Sequence, residues 1–188
     1  DFTGAVLDID TETDADYRLR VAQDRVDFHE SFAGAALATS QWNTTLTTMT
    51  ATVGSAVLNL NAGLSAATSA VARVQSYRTF TFLPGSTNAL TLPMRVNATA
   101  VGIANCTWEL GFGFASGITA PTDGYFVRMN ATGELRLVAN FAGTETQSDA
   151  IAYTTTPAGW TSALLPENVS RTMALVISDT MLYLWFEN

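Results

Sequence analysis

The stretch Trp108-Glu109-Leu110-Gly111-Phe112-Gly113-Phe114 decides the fold class. Large apolar residues alternate here with Glu or Gly, and successive side chains of a β-strand point to opposite faces of its sheet. The pattern therefore predicts a strand with one buried face, made of Trp108, Leu110, Phe112 and Phe114. The opposite face carries Glu109 and two glycines, so it is smooth enough to accept a neighbouring backbone closely.

The residues that follow predict antiparallel hairpins. Pro121-Thr122-Asp123-Gly124 and Asn130-Ala131-Thr132-Gly133 are turn sequences, and they bound strand-like runs at 125–129 and 134–141. In the second run one predicted face holds Leu135, Leu137 and Phe141, and the other holds Arg136 and Asn140. Consecutive hairpins of this kind predict an antiparallel meander.

Other strands are predicted before and after this meander. The runs at 172–177 and 181–186 are almost continuously apolar, which is typical of strands covered on both faces, and residues 55–61 and 80–82 also favour strands. Residues 65–74 are ambiguous, because their alanines suit a helix while 71–76 alternate as a strand; we favour the strand. Many short strands without interleaved helices indicate a sandwich or a barrel.

The first 27 residues differ from the rest of the chain. They carry the alternating acidic run Asp8, Asp10, Glu12, Asp14 and Asp16. We interpret residues 1–27 as an extended arm for attachment and 28–188 as one all-β domain that continues beyond Asn188. The run could cluster five carboxylates for a hard cation such as calcium, but a solvated arm, or one docked on arginines of a neighbour, is the favoured interpretation.

Charge excludes several partners. Nine basic residues, all Arg, stand against 17 acidic ones, giving a net charge of −8. Such a chain has no electrostatic attraction for nucleic acid or for anionic membranes, so neither is an expected partner. No segment is apolar over the length needed to cross a bilayer. The single cysteine, Cys106, excludes an intrachain disulfide and is most simply a small buried apolar residue.

Catalytic patterns are not found. His29 is the only histidine, so a His/Cys metal site cannot form within the chain, and there is no Gly-x-Ser-x-Gly elbow. Glu109, Glu134 and Glu145 fall on different predicted strands or loops, which argues against the paired carboxylates of a glycosidase. We therefore expect no enzyme activity, no metal and no cofactor.

The four tryptophans divide into two groups. Trp108 and Trp185 lie in strongly apolar strands and are expected in the interior. Trp42 and Trp160 lie in stretches rich in Thr or Gly. They are the candidate ligand-stacking residues.

Several motifs together resemble a family of known proteins. In the first half of the chain they are Arg18-Leu19-Arg20-Val21-Ala22-Gln23-Asp24, Asp27-Phe28, Gln41-Trp42-Asn43 and Leu58-Asn59-Leu60-Asn61. In the second half they are Glu109-Leu110-Gly111-Phe112-Gly113, Ala120-Pro121-Thr122-Asp123-Gly124-Tyr125-Phe126-Val127-Arg128, Gly133-Glu134-Leu135-Arg136 and Asn140-Phe141-Ala142-Gly143-Thr144-Glu145. These stretches are similar to virion proteins of tailed bacteriophages that carry a concanavalin-like jelly roll.

The resemblance implies a two-sheet antiparallel jelly-roll sandwich on the surface of a phage particle. Its role would be that of a capsid decoration, a head fibre or a tail part, joined by the arm to other virion proteins. By analogy with such parts we expect several copies to assemble, with a trimer as the expected form. The carbohydrate and calcium residues of legume-type lectins are not present, so the resemblance itself does not imply lectin activity. Binding of host glycans through Trp42 and Trp160 is the alternative function.

Overall fold

The computed structural model describes residues 28–63, 69–80, 82, 87–96, 106–130, 134–150, 169–178 and 181–187. The predicted arm at 1–27 with its acidic run, the candidate Trp160 and residues 65–68 of the ambiguous segment lie outside this description.

The described residues form eleven β-strands and no helix. The strands are β1 (Trp42–Thr47), β2 (Thr50–Gly54), β3 (Val57–Asn61), β4 (Val71–Ser76), β5 (Asn88–Arg95), β6 (Trp108–Phe114), β7 (Asp123–Met129), β8 (Leu135–Phe141), β9 (Thr144–Gln147), β10 (Ser170–Ile177) and β11 (Leu182–Glu187). The predicted all-β class is confirmed, and so is a strand at 71–76.

Every strand pair is antiparallel. β6-β7-β8-β9 form a four-stranded sheet and β11-β10-β5 a three-stranded sheet, while β1 pairs with β4 and β2 with β3. The four-stranded sheet is the predicted meander. Where the sequence predicted two sheets, the described residues form four. The smaller ones are built from the 42–76 region, whose short strands pair locally.

The core lies between the four-stranded and the three-stranded sheet. Val127, Met129 and Leu135 meet Met173 of β10, and all four are almost completely buried. Partly buried residues pack around them, namely Leu92, Met94, Val96, Trp108, Leu110, Leu137, Leu184 and Phe186. Burying a side chain of this size contributes about 1.5–3 kcal/mol, so this layer holds the two sheets face to face.

Two expectations about burial are wrong in part. Phe114 and Phe141 are 62% and 58% exposed, because the three-stranded sheet does not cover the end of the four-stranded sheet where they lie. Asn140 lies with Arg136 on the face opposite Leu135, as predicted; it is 3% exposed, and its side-chain amide donates to the carbonyl oxygen of Pro121 at 2.9 Å. The apolar strand β11 is covered on one face only, since its residues alternate between half-buried and exposed.

Two tight turns differ in their chemistry. Ser55 and Ala56 join β2 to β3 with φ of 54° and 60°, and Ala142 and Gly143 join β8 to β9 with φ of 49° and 79°. Two consecutive positive φ values define a type I′ turn, whose twist matches that of the two strands it joins. Glycine is favoured at both positions because it adopts positive φ without strain. The β2–β3 turn makes this conformation without any glycine.

β5 is an edge strand of the three-stranded sheet, and Pro93 lies within it, opposite Thr172 of β10. Proline has no N–H to donate to a ladder, so it is tolerated in a sheet mainly at an edge. A strand was predicted at 80–82, but neither Phe80 nor Phe82 is a strand residue. Their rings instead take part in aromatic packing.

A chain of aromatic contacts joins the 28–80 region to the four-stranded sheet. Phe80 meets Phe28 and Phe112 edge to face, with ring centroids 6.1 and 5.7 Å apart. Phe82 then meets Phe112 and Tyr125 at 5.3 and 5.8 Å. Arg73 of β4 adds polar contacts, because its guanidinium donates to the carbonyl oxygens of Gly117 and Thr119.

Candidate functional site

Trp42 is the first residue of β1, and neighbouring side chains already contact its indole ring. Its indole N–H donates to a carboxylate oxygen of Glu30 at 3.0 Å. Phe28 lies edge-on to the indole at 5.4 Å, and Phe32 lies tilted against it at 5.9 Å. The hydrogen bond from Trp42 is the main reason that the pKa of Glu30 is lowered. The polar atom of this indole is therefore already engaged.

Trp42 also lines an open groove of about 370 Å³. The lining residues are Ala35, Ala36, Leu37, Thr39, Trp42, Thr44, Leu46, Ala51, Thr52 and Val53. The walls combine small apolar side chains with threonine hydroxyls and contain no charged residue. The structure thus places Trp42 at a groove, where a ligand could contact its ring. Trp160, the other candidate stacking residue, lies outside the described residues.

A second aromatic surface lies where the sequence predicted an interior. Trp185 is 55% exposed and Tyr183 is 43% exposed, so the expectation that Trp185 is buried is wrong. Both belong to β11 and are two residues apart, so their side chains share the outer face of the three-stranded sheet about 7 Å apart. Met181, also exposed, accepts a hydrogen bond at its Sδ from the Tyr183 hydroxyl at 3.1 Å.

The register shows what lies beside these aromatics. Tyr183 pairs with Val176, and Val176 with Ala89; Trp185 pairs with Ala174, and Ala174 with Thr91. The next row contains Pro93, Thr172 and Glu187, and exposed Arg95 follows Pro93 on the same face of β5. We call the surface between them the outer face and define it by Ala89, Thr91, Pro93, Thr172, Ala174, Val176, Tyr183 and Trp185. One acidic and one basic residue border it in the register.

A third surface lies at the uncovered end of the four-stranded sheet. Phe114, Asp123 and Phe141 fall in one row across β6, β7 and β8, and Tyr125 packs edge to face on Phe141 at 5.6 Å. Phe82 is 39% exposed next to Phe112 and Tyr125. We call Phe82, Phe114 and Phe141 the aromatic end. It continues the core outward as exposed apolar surface.

The other face of the same sheet carries an ionic cluster. The Arg128 guanidinium donates to both carboxylate oxygens of Glu145 at 2.6 and 2.7 Å and to Glu109 at 2.7 Å, and its carbon lies 5.3 Å from the centre of the Phe126 ring. All three charged side chains are at least three-quarters buried. The hydrogen bonds from Arg128 are the main cause that lowers the pKa of Glu145, so this carboxylate stays ionised.

The structure therefore brings together two glutamates that the sequence placed on separate elements. Both carboxylates are held by one guanidinium, an arrangement that stabilises charge and leaves Glu145 a poor proton donor. Glu134 is elsewhere, bonded to Asn130 and Arg136. His29 is exposed, and Cys106 is half-buried with its pKa raised by burial. Within the described ranges no three His, Cys, Asp or Glu side chains are grouped to hold a metal.

Comparison with known proteins gave no match to a family model, to a curated protein or to a solved structure. In the described part of the chain, no helix has the length and apolar character needed to span a membrane.

Sequence reasoning missed Tyr183, Trp185 and the aromatic end. It treated continuous apolar runs as covered on both faces, although an edge strand such as β11 can be apolar and exposed. A usable signal was the spacing of Met181, Tyr183 and Trp185, because alternate positions share one face of a strand.

Proposed function

We propose that this chain is a structural component of a bacteriophage virion, a jelly-roll sandwich that decorates the capsid or forms part of a head or tail fibre. The phage assignment rests on the motifs quoted above. The all-β fold with its two facing sheets is compatible with a jelly roll, which would be the finer description of this sandwich. On this proposal the domain works by shape and by contact, and it catalyses no reaction.

The observation that carries the proposal is the amount of large apolar surface left uncovered. Among the described residues the exposed large apolar side chains are Leu46, Val57, Leu60, Tyr77, Phe82, Phe114, Ile118, Phe141, Val169, Met181, Tyr183 and Trp185. Soluble monomers rarely expose large contiguous apolar patches, and such patches mark surfaces that partners cover. A subunit of a multi-copy particle has such partners by definition.

The aromatic end is the contact surface that we assign to assembly. Phe82 packs on Phe112 and Phe141 packs on Tyr125, and exposed aromatic side chains are of the kind that dominate protein interfaces. Copies of the chain, in a trimer by analogy, or other virion proteins would cover it. The absence of catalysis is supported by the engagement of Glu109 and Glu145 with Arg128, which gives the ionic cluster a stabilising role.

The test is to image intact phage particles labelled at this chain. We expect regular labelling over the head, or labelling confined to the tail if the chain is a tail part. Absence of the chain from purified particles would refute the proposal. The double variant Phe114→Ser/Phe141→Ser should fold, because both residues are exposed, but should be lost from particles. Tyr77→Ser, at an exposed aromatic outside the aromatic end, should be incorporated normally.

Recognition of host-surface glycans is the second candidate function. The observation that favours it is the exposure of Trp185 beside Tyr183 on one face of β11. Aromatic rings with one accessible face bind the apolar faces of sugar rings, and the particle surface is where a phage meets its host.

A further inference from the structure

We propose that a second copy of this chain covers an uncharged, largely apolar surface formed by the two small sheets, β1 with β4 and β2 with β3. The side chains of this surface line or adjoin the groove beside Trp42, and we call it the neutral surface, defined by Thr44, Leu46, Ala51, Val53, Leu58 and Leu60. It shares no residue with the aromatic end. Because this contact needs no phage particle, it goes beyond the proposed function.

The strands of the first half pair with one another but do not build a core of their own. All the fully buried residues that the structure describes lie at Phe126 or beyond, and no residue of β1 to β4 belongs to the core cluster between the two larger sheets. A two-stranded sheet is at best marginally stable alone and needs its apolar face packed against another element. The two small sheets therefore need more cover than they give each other.

The hairpin of β2 and β3 has one apolar and one polar face. Ala51 lies opposite Leu60 and Val53 opposite Leu58, so these four side chains share a face. The other face of the hairpin carries the polar residues Thr50, Thr52, Asn59 and Asn61. Leu60 is nevertheless 49% exposed, so the apolar face is only partly covered within one chain.

The neutral surface borders an open groove and not a filled interior. Thr44 and Leu46 of β1 line this groove together with Ala51 and Val53 of β2, and its volume is about 370 Å³. Leu46 is 46% exposed. Apolar side chains of another molecule would fill the groove and remove the exposed leucines from water, which is the main favourable contribution to association.

The charge pattern favours a second copy as the partner. Residues 33–72 contain no Asp, Glu, Lys, Arg or His, although the chain as a whole has a net charge of −8. Two copies of so acidic a protein repel each other, and they approach at the lowest cost through a surface that is free of charge. A different protein could use basic residues to attract the acidic ones, and the neutral surface offers nothing for such attraction.

The charged residues that border the neutral surface already have partners. Glu30 accepts a hydrogen bond from the indole N–H of Trp42. Arg73 of β4 pairs with Thr45, whose side chain lies on the face of β1 opposite to that of Leu46. Its guanidinium donates to backbone carbonyl oxygens of a neighbouring loop.

The experiment follows the full chain by sedimentation velocity across the micromolar range, where we expect a dimer or larger assembly that dissociates on dilution. Leu60→Glu places a charge on the neutral surface of each copy and should weaken self-association by about tenfold or more, and Leu46→Glu should act in the same way. Both leucines are about half exposed, so the fold should persist. Asn59→Glu is the matched control, because it adds the same charge on the other face of β3, and it should change the affinity by less than about twofold.

Two measurements on the unaltered chain complement the variants. Amide hydrogen exchange in β2 and β3 should become faster on dilution, because the hairpin loses its cover, while exchange in β7 and β8 should not change. Raising the salt concentration should strengthen self-association, because salt screens the repulsion between two acidic copies.

Three results would overturn the proposal: a chain that stays monomeric throughout the micromolar range, self-association that Leu60→Glu weakens no more than Asn59→Glu does, or self-association that only Phe114→Ser/Phe141→Ser abolishes. The last result would assign the contact to the aromatic end. Labelling of particles is independent of these results. A chain that self-associates through the neutral surface but is absent from particles refutes the proposed function alone, and a monomeric chain found in particles refutes only the contact between copies.

Discussion

Phe126 lies directly opposite Gly111 in the register between β6 and β7, where the two strands approach too closely for a side chain on the glycine. A Cβ built on Gly111 would lie 2.6 Å from the Cα and 2.7 Å from the Cβ of Phe126. These are backbone and near-backbone atoms, so they cannot move aside cheaply. The smooth face predicted for β6 is therefore a requirement of the β6–β7 pairing.

Replacing Gly111 by Ala should lower the free energy of unfolding by about 2 kcal/mol or more, because the strands must separate locally. Urea unfolding measures the change. Gly54→Ala is the matched control, since a Cβ there meets nothing within 4 Å, and it should change stability by less than about 0.5 kcal/mol. Equal effects of the two substitutions would refute the close approach at Gly111.

The hydrogen bonds of Arg128 make stability depend on pH through Glu145. The folded-state pKa of Glu145 is lowered, so the unfolded chain binds more protons at acidic pH. The stabilisation is complete above the usual glutamate pKa of about 4.3 and is lost as the pH falls through the lower folded-state value. Glu145→Gln should therefore lower stability at pH 7 by about 1–2 kcal/mol.

The same variant should lose less stability than the parent chain when both are acidified below about pH 4.3. Unfolding free energies measured from neutral to acidic pH test this. Asp149→Asn, at an exposed carboxylate, serves as the control and should follow the parent curve. Parallel curves for the parent chain and Glu145→Gln would show that the ion pair does not favour the charged form of Glu145.

Glycine should be favoured at both tight turns, so adding it at one and removing it at the other should change stability in opposite directions. Ala56 holds a φ of 60° that costs a residue with a Cβ about 1–2 kcal/mol, so Ala56→Gly should raise stability by about 0.5–1 kcal/mol. Gly143 has a φ of 79°, so Gly143→Ala should lower stability by about 1 kcal/mol. Denaturation midpoints of both variants provide the measurement. A shift of both in the same direction would contradict the turn geometry.

The contact between Phe80 and Phe112 should be energetically coupled. Their rings meet edge to face at 5.7 Å and connect the 28–80 region to the four-stranded sheet. A double-mutant cycle with Phe80→Leu and Phe112→Leu should give a coupling energy of about 0.5–1.5 kcal/mol. The pair Tyr77 and Phe112, for which the structure gives no ring contact, is the control. A coupling near zero for Phe80 and Phe112 would mean that this ring contact does not stabilise the fold beyond the burial of each ring.

Local pattern was sufficient to predict much of the fold. The alternation of apolar residues predicted the strands of the meander, and the turn residues predicted where these strands end. Both signals depend on only a few consecutive residues, so they can be read without knowing the rest of the fold. The same reasoning assigned Phe114 and Phe141 to a buried face, and the face is correct. Their exposure depends on how far the opposite sheet extends, which no local pattern records.

The candidate site was less predictable for the same reason. Trp185 stands in an apolar run that suits an interior strand, and only the position of β11 at an edge leaves it in solvent. Glu109 and Glu145 are 36 positions apart, and their meeting at Arg128 follows from the order of four strands. Trp42 was predicted only as a candidate stacking residue, and its hydrogen bond to Glu30 was missed because that bond depends on the path of residues 28–32.

Pro93 has a consequence for how copies of this protein can grow into larger structures. An edge strand exposes unpaired backbone groups that can template a further strand from another molecule, and a proline in that edge interrupts the template. Extension through β5 past Pro93 would lack one ladder hydrogen bond for every added strand, so growth by strand addition is discouraged at this edge. Copies of this chain would therefore have to meet through another edge or through side-chain contacts.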